Sequence, residues 1–351
     1  MATLTGLRSR LGDRLVEGPV ICAEGYVFEL ERRGYLQAGA FVPEVVLEHP
    51  IQVRLLHEEF VHAGSDVVQA FTYYAHREKL RQIGKDHLLE PLNRQALEIA
   101  RDVALGSGAL LAGGICNSNL FDPVDPATCA QVRAMFDEQV GWAAEAGVDF
   151  VIGETFRYLD EALLALAAIR AAELPAVITL NLHGTPRTRE DIELPEAMRR
   201  LADAGADVVG LNCSRGPATM LPLLPDLVGA VSVPVAALPV PYRTDAAHPN
   251  FQALADPNYT GFPAGRPFPT GLDPFTCTRY EVADFTRAAQ AAGVRYLGLC
   301  CGAGPHHIRS MAEALGRRPP ASRYTEDMSR HVYFGSDPAL APAYLEYGRA
   351  L

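Results

Sequence analysis

A parallel (β/α)8 barrel of the TIM type is the fold that this sequence predicts, and three observations predict it. First, a phrase recurs: Ala63-Gly-Ser-Asp-Val-Val, Ala146-Gly-Val-Asp-Phe-Val, Ala204-Gly-Ala-Asp-Val-Val and Ala292-Gly-Val-Arg-Tyr-Leu. Its glycine can end a helix in the left-handed conformation, and the apolar run behind it then enters a sheet. Second, eight short apolar runs read as strands, at 20–23, 67–72, 110–114, 150–154, 176–181, 208–213, 234–238 and 296–301. Third, helical patterns separate most of them, clearest at 95–105, 130–146, 160–172 and 282–292. Eight βα units in about 300 residues fit a barrel, with a doubly wound open sheet as the runner-up.

Taken in order, the chain opens on Leu7-Arg-Ser-Arg-Leu-Gly-Asp-Arg-Leu, a basic amphipathic stretch. Asp13, Glu17 and the helical spacing make it an ordinary first helix rather than a transit peptide. The eight units follow without a linker or a shift in composition, so residues 1–318 form one domain and 319–351 a short tail. The least regular stretch is 239–273, rich in proline and glycine. A long irregular insertion is usually disordered or functional, and on a barrel this one would lie over the active-site face as a lid.

Composition excludes several classes of function. Of the 351 residues 48% are apolar, enough for a large core without disulfides, and the net charge of -11 argues against nucleic acid or an anionic membrane as partner. Seven cysteines in a chain this long are no secreted disulfide framework. No apolar stretch reaches membrane-spanning length. A reducing cytoplasm is the expected location.

Three of the cysteines stand apart. Cys213 closes the sixth run in Gly-Leu-Asn-Cys, and Cys300-Cys301 close the eighth in Gly-Leu-Cys-Cys-Gly-Ala-Gly-Pro. Barrel enzymes place catalytic residues at the C-terminal ends of strands. Three thiolates converging there make a zinc site with one open position, which is the catalytic rather than the structural pattern. Adjacent residues in a strand face opposite ways, so Cys300 and Cys301 can share a metal only if the strand stops between them; Gly302 and Gly304 permit that. Three thiolates leave zinc a weak Lewis acid toward water, and its better use is to hold a substrate sulfur as thiolate. Buried inert cysteines and a vicinal disulfide are the alternatives. Cys22, Cys116, Cys129 and Cys277 lack this context and read as packing residues, and His306 and His307 as surface or capping residues.

These motifs resemble the zinc signatures of the homocysteine S-methyltransferase family, and among its members the betaine-using ones. Further matching text includes Phe28-Glu-Leu-Glu-Arg-Arg-Gly-Tyr35, Glu48-His-Pro, Gln69-Ala-Phe-Thr-Tyr-Tyr-Ala75, Thr278-Arg-Tyr and His307-Ile-Arg, in order over roughly residues 8–318. The resemblance implies a zinc barrel that methylates homocysteine, with Cys213, Cys300 and Cys301 as ligands. It assigns Glu154 to the acceptor's amino-acid head, Phe41 to an aromatic position against the donor's methyl groups, and Tyr74 to the donor carboxylate. Cation–π attraction suits such faces to a quaternary ammonium. Glu24, Gly25, Asn212 and Tyr242 complete the expected substrate-binding set. Two departures stand out. The family's Asp-Gly-Gly at the end of the first strand is Ala23-Glu24-Gly25 here, so Glu24 is expected to replace the missing aspartate. Thr155 stands where betaine-specific members carry an aromatic. A homo-oligomer stays open, although the chain ends soon after Tyr344-Leu-Glu-Tyr, before most of the family's C-terminal dimerisation extension.

The expected function is zinc-dependent transfer of a methyl group from glycine betaine or a related onium compound to the thiol of homocysteine. The rivals are a sulfonium donor (S-methylmethionine or dimethylsulfoniopropionate), a different thiol acceptor, and a non-catalytic zinc barrel that binds a small thiol or onium ligand.

Overall fold

In the computed structural model, which describes residues 9–351, all four recurrent glycines end helices in the left-handed region: Gly64, Gly147, Gly205 and Gly293 have φ of 113°, 73°, 99° and 99°. Each is followed by a strand. The strands are β1 (Val20–Ala23), β2 (Val67–Gln69), β3 (Leu110–Cys116), β4 (Phe150–Phe156), β5 (Ala176–Leu180), β6 (Val208–Asn212), β7 (Val235–Leu238) and β8 (Tyr296–Leu299). They pair in parallel in chain order and close into a barrel, with β1 joined to β8 from Val20 opposite Tyr296 to Ala23 opposite Leu299. An open doubly wound sheet is thereby excluded.

The phrase also carries a device that its periodicity hides. Its aspartate reaches sideways to the next strand of the barrel. Asp66 Oδ2 accepts the amide of Ile21 in β1, Asp149 Oδ2 that of Leu111 in β3, and Asp207 Oδ2 that of Ala176 in β5, each at 2.8 Å. Each aspartate amide in turn donates to the carbonyl of the same residue, at 2.8–2.9 Å. A two-way clamp therefore sets register at the bottom of three strand pairs. In the fourth phrase Arg295 replaces the aspartate and donates to the carbonyl of Leu15 instead.

Leu15 belongs to the helix Arg10–Glu17, which plugs the barrel floor. Ser9 caps it by accepting the Gly12 amide at 3.1 Å, and Leu11 and Leu15 pack with barrel-lining side chains such as Leu110, Phe150 and Tyr296. Leu7 and Arg8 of the expected first helix lie outside the described residues. A second and larger apolar cluster fills the layer between the strands and the surrounding helices, among them Pro50–Ala63, Leu89–Ser107, Pro126–Ala146 and Arg279–Ala291.

The segment 239–273 crosses the opposite end. Phe251 is buried, its amide donates to Ser214 O at 2.9 Å, and its ring meets Phe268 at 5.0 Å. The tail beyond 318 is pinned to the barrel's last two helices through Ser322 and Thr325 on Glu313 (2.8 and 2.6 Å) and Tyr280 on Glu326 (2.9 Å). No helix among the described residues is long and apolar enough to cross a membrane.

Closure leaves no room at Gly298 of β8, where an added methyl would overlap the Cys22 carbonyl. Gly298→Ala is expected to lower stability by about 1–3 kcal/mol, read as a fall in the urea midpoint. An unchanged midpoint would mean that the β1–β8 seam is loosely packed.

Candidate active site

Two of the strands, β4 and β6, end where their backbone turns left-handed. Cys213 follows β6 at φ 58° and Ser214 continues at 52°; Thr155, near the end of β4, has φ 61°. Such conformations are costly for residues with a side chain and gather at functional sites. β8 stops at Leu299, before both cysteines rather than between them. The Cys300 amide donates to Pro239 O at 2.9 Å, Ala303 N–H closes a turn on Cys300 O at 3.1 Å, and Gly302 takes φ 93°. The turn swings both thiols to one side.

The sulfurs of Cys213, Cys300 and Cys301 lie within 4.8 Å of one another, those of Cys300 and Cys301 at 3.9 Å. Cys213 and Cys300 are buried, and Cys301 is half-buried. The neighbouring thiols of Cys300 and Cys301 hold the Cys213 thiol well below its ordinary value, and their interaction with Cys213 pushes both of them up. The arrangement is three sulfurs that share their protons at close range, a donor set suited to a soft cation.

Beside the thiols stand two buried carboxyls. Glu24, Glu154 and Cys300 also lie within 4.8 Å of one another. Glu154 is held on both oxygens, by Gln69 Nε2 at 2.8 Å and Asn212 Nδ2 at 3.1 Å. Asn212 is itself oriented, its Oδ1 accepting from Thr155 N and Thr179 Oγ1, both at 3.0 Å. One chain of hydrogen bonds thus runs across β2, β4, β5 and β6 to fix a single carboxylate. Glu24 is different: neither of its oxygens has a hydrogen-bond partner among the described residues. Burial, and then the charge of Glu154, pushes Glu24 well above the usual carboxylate range, and burial lifts Glu154 to about 7 against the hydrogen bonds from Gln69 and Asn212.

Two cavities adjoin this cluster. The inner one, about 20 Å³, is bounded by Glu24, Glu154, Gln69, Tyr26, Cys300 and Cys301. The outer one, about 260 Å³, is bounded by Phe28, Phe41, Tyr74, Phe251, Phe268, Cys213 and Cys301, among others. Val27, Tyr73 and Cys301 line both. Phe41 (φ 55°) and Tyr74 (φ 60°) are turned in by left-handed backbone.

Eight of the expected residues, Cys213, Cys300, Cys301, Glu24, Glu154, Asn212, Phe41 and Tyr74, are therefore brought together. Gly25 and Tyr242 are not. Gly25 caps the helix Tyr26–Arg32, and a side chain there would overlap the Ala303 carbonyl. Tyr242 is fully buried behind the thiols, its hydroxyl accepting from Arg32 at 2.8 Å and leaving room beside it only for glycine at 302. Both shape the turn that carries the cysteines. Thr155 is buried and lines neither cavity; its hydroxyl accepts from Asn117 Nδ2 at 2.9 Å. His307 caps its helix, Nδ1 accepting from Gly304 N at 3.2 Å and Nε2 donating to Cys277 O at 3.0 Å. Gln69, Tyr73, Arg157, Asn181, His183, Phe251 and Phe268 join the site unannounced by the sequence; only Gln69 and Tyr73 lay within a matching motif.

A closed parallel barrel with thiols, carboxyls and an aromatic cavity gathered at one mouth has the layout of a barrel enzyme. The chain belongs to the homocysteine S-methyltransferase family, whose sequence profile matches residues 21–315, and is a methyltransferase. It is 36% identical over 333 residues to "S-methylmethionine--homocysteine S-methyltransferase BHMT2" of Mus musculus, covering 92% of this chain and 87% of the relative. It is equally 36% identical over 346 residues to "Betaine--homocysteine S-methyltransferase 1" of Mus musculus, covering 92% and 80%. Among solved structures, the metallated form of the homocysteine methyltransferase MmuM from Escherichia coli superposes with a TM-score of 0.66 at 19% identity, over 84% of this chain and 96% of that one, and shares the fold.

The raised carboxyls have a consequence for stability. The folded chain keeps protons on Glu24 and Glu154 that the unfolded chain, with its ordinary 4.5, releases. This contribution is fully present below the unfolded value and is lost as pH rises through about 7. Metal-free, substrate-free protein is expected to have a lower urea midpoint at about pH 8 than at about pH 5.5, and Glu24→Gln to shrink that difference. The same pH slope in both proteins would show that Glu24 carries none of it.

Proposed function

We propose that the protein transfers a methyl group from a small onium compound, glycine betaine or a relative of it, to the thiol of homocysteine, with zinc on the three cysteines. One observation carries this reading: a carboxyl-lined cavity and an aromatic cavity meet at the same sulfur, that of Cys301.

The cysteines suit zinc. Tetrahedral ligation with Zn–S near 2.3 Å puts ligand sulfurs about 3.8 Å apart, and Cys300 and Cys301 already stand at 3.9 Å. Zinc held there would lower the acceptor thiol's pKa so that its sulfur attacks as thiolate.

The remaining chemistry falls to the chain's own groups. Glu24 has two oxygens to offer and no partner for either, which supports a role in gripping an ammonium together with Glu154. The inner cavity, about 20 Å³, is room for about one water-sized group, the size of an ammonium and not of a whole amino acid. The acceptor's amine then enters and the rest of it stays outside. Gln69 and Asn212 keep Glu154 aimed. On the other side Phe28, Phe41, Phe251, Phe268 and Tyr74 offer rings to a cation. As sulfur attacks, the new S–C bond forms and the old onium–carbon bond breaks, its electron pair leaving with the donor, which departs neutral at the reacting centre. No general acid is needed, and positioning carries most of the catalysis. The outer cavity is smaller than the 300–1,000 Å³ typical of drug-sized ligands, which supports a compact donor over a folate or a corrinoid. Ammonium and sulfonium donors both meet that limit, and relatives named for each are equally similar.

Cys301→Ala is expected to lower bound zinc well below one per chain and to abolish methyl transfer; full zinc content and normal turnover in the variant would overturn the ligand assignment. For the acceptor, the charge-assisted hydrogen bond to Glu24 is worth about 1.5–3 kcal/mol, so Glu24→Gln should cut kcat/KM for homocysteine roughly 10- to 150-fold relative to 3-mercaptopropionate, which has no amine. An unchanged ratio would remove Glu24 from the acceptor site.

A further inference from the structure

Arg157 has no role in anything described so far. It follows β4 directly, and its side chain lines the outer cavity together with Tyr74, Phe41 and Cys213. Among the described residues its guanidinium makes no ion pair and donates no hydrogen bond. Five N–H donors on a planar fork, half-buried and unengaged, are a ready site for a carboxylate.

The charges around it are laid out with a direction. At the Cys213 and Cys301 end the cavity meets thiols that favour a cation. At the other end stands Arg157. His183 lies on the same wall, its pKa lowered by burial and then by the charge of Arg157, and among the described residues Arg157 is the one arginine or lysine bordering this cavity. Behind Arg157 a recess of about 250 Å³ opens, sharing Asn117 and Arg157 with the outer cavity. It holds a second cation, Arg189, whose guanidinium lies 5.7 Å from the centre of the Tyr158 ring. Its one acid, Glu161, is engaged through Oε1, which accepts from Ser118 N at 2.7 Å and Ser118 Oγ at 2.6 Å; the charge of Arg157 reaches it without an ion pair between the two. Lys79 stands over Tyr74, 4.3 Å from the ring centre, and is not part of either wall.

We propose that Arg157 is the anion anchor of the outer cavity and a determinant of donor choice. The donor is a zwitterion, its onium end against the rings and thiols and its carboxylate on the Arg157 guanidinium. This rests on the reading of the outer cavity as the onium site and narrows it. Two charges of opposite sign at opposite ends orient the donor, so that a methyl rather than the carboxylate arm faces the sulfur. The recess behind Arg157 gives the arm room to lengthen by a methylene or two.

The test compares two donors that share a sulfonium and differ in the carboxylate, dimethylsulfoniopropionate and trimethylsulfonium, on the wild-type enzyme, Arg157→Gln and Arg157→Lys. The side chain bonds nothing among the described residues, so the variants are expected to keep the fold, which an unchanged urea midpoint checks. The ratio of kcat/KM for the carboxylate donor over the carboxylate-free one is expected to fall about tenfold or more in Arg157→Gln, the lower end of what losing a charge-assisted hydrogen bond costs, and to recover in part in Arg157→Lys. A ratio within about twofold of wild type would overturn the anchor. Calorimetric binding of glycine betaine gives a readout apart from turnover. If the wild type methylates from neither sulfonium nor from glycine betaine, the onium-transfer reading fails by itself. Betaine binding then judges Arg157: an affinity about tenfold weaker in Arg157→Gln supports the anchor, and equal affinity overturns it.

Discussion

Five acidic groups share one largely buried corner of this barrel, and the site is organised by what that costs. Three thiols and two carboxyls within a few ångströms cannot all ionise without cations among them. Protonation is one answer to the problem, which is why Glu24 and Glu154 sit high and only one of the three thiols is held low. Each proposed ligand answers it in another way. A metal neutralises the thiols, an ammonium the carboxyls, and an onium brings a third positive charge to the same place. The guests are the missing half of an electrostatic pair that the chain builds and leaves incomplete.

Much of the architecture was legible because it is written locally. A glycine that must turn left-handed, and a run of Val, Ile and Leu behind it, announce each βα unit wherever they occur, and eight runs announced eight strands. Strand ends were less legible. The eighth run reads as one apolar stretch through Cys301, yet pairing stops at Leu299, because Pro239 and the Gly302 turn take over the backbone hydrogen bonds. The aspartate clamps escaped notice for a similar reason. Asp66, Asp149 and Asp207 look like ordinary loop residues until the neighbouring strand is beside them.

The site was legible where chemistry is unusual in itself. Paired cysteines between glycines stand out in any chain, whereas the acid at Glu24 stood out only against the family's Asp-Gly-Gly. Gly25 and Tyr242 carried the right chemistry but point their constraint at the backbone of the cysteine turn. Thr155 drew the eye at the end of β4, whereas the residue that faces the cavity is Arg157, two positions on, beyond a left-handed kink that no periodicity reveals. Phe251 and Phe268 come from a segment whose only sequence signal was irregularity.

The aspartate clamps have an effect that reaches past register. They secure the barrel at its floor, together with the helix Arg10–Glu17, while the opposite rim is tied through side chains such as Gln69, Glu154 and Asn212. The two poles are therefore held by separate sets of hydrogen bonds. A substitution at a cavity-facing position such as 41 or 157 leaves the floor's bonds untouched, so a barrel that still folds is no evidence that its mouth still works.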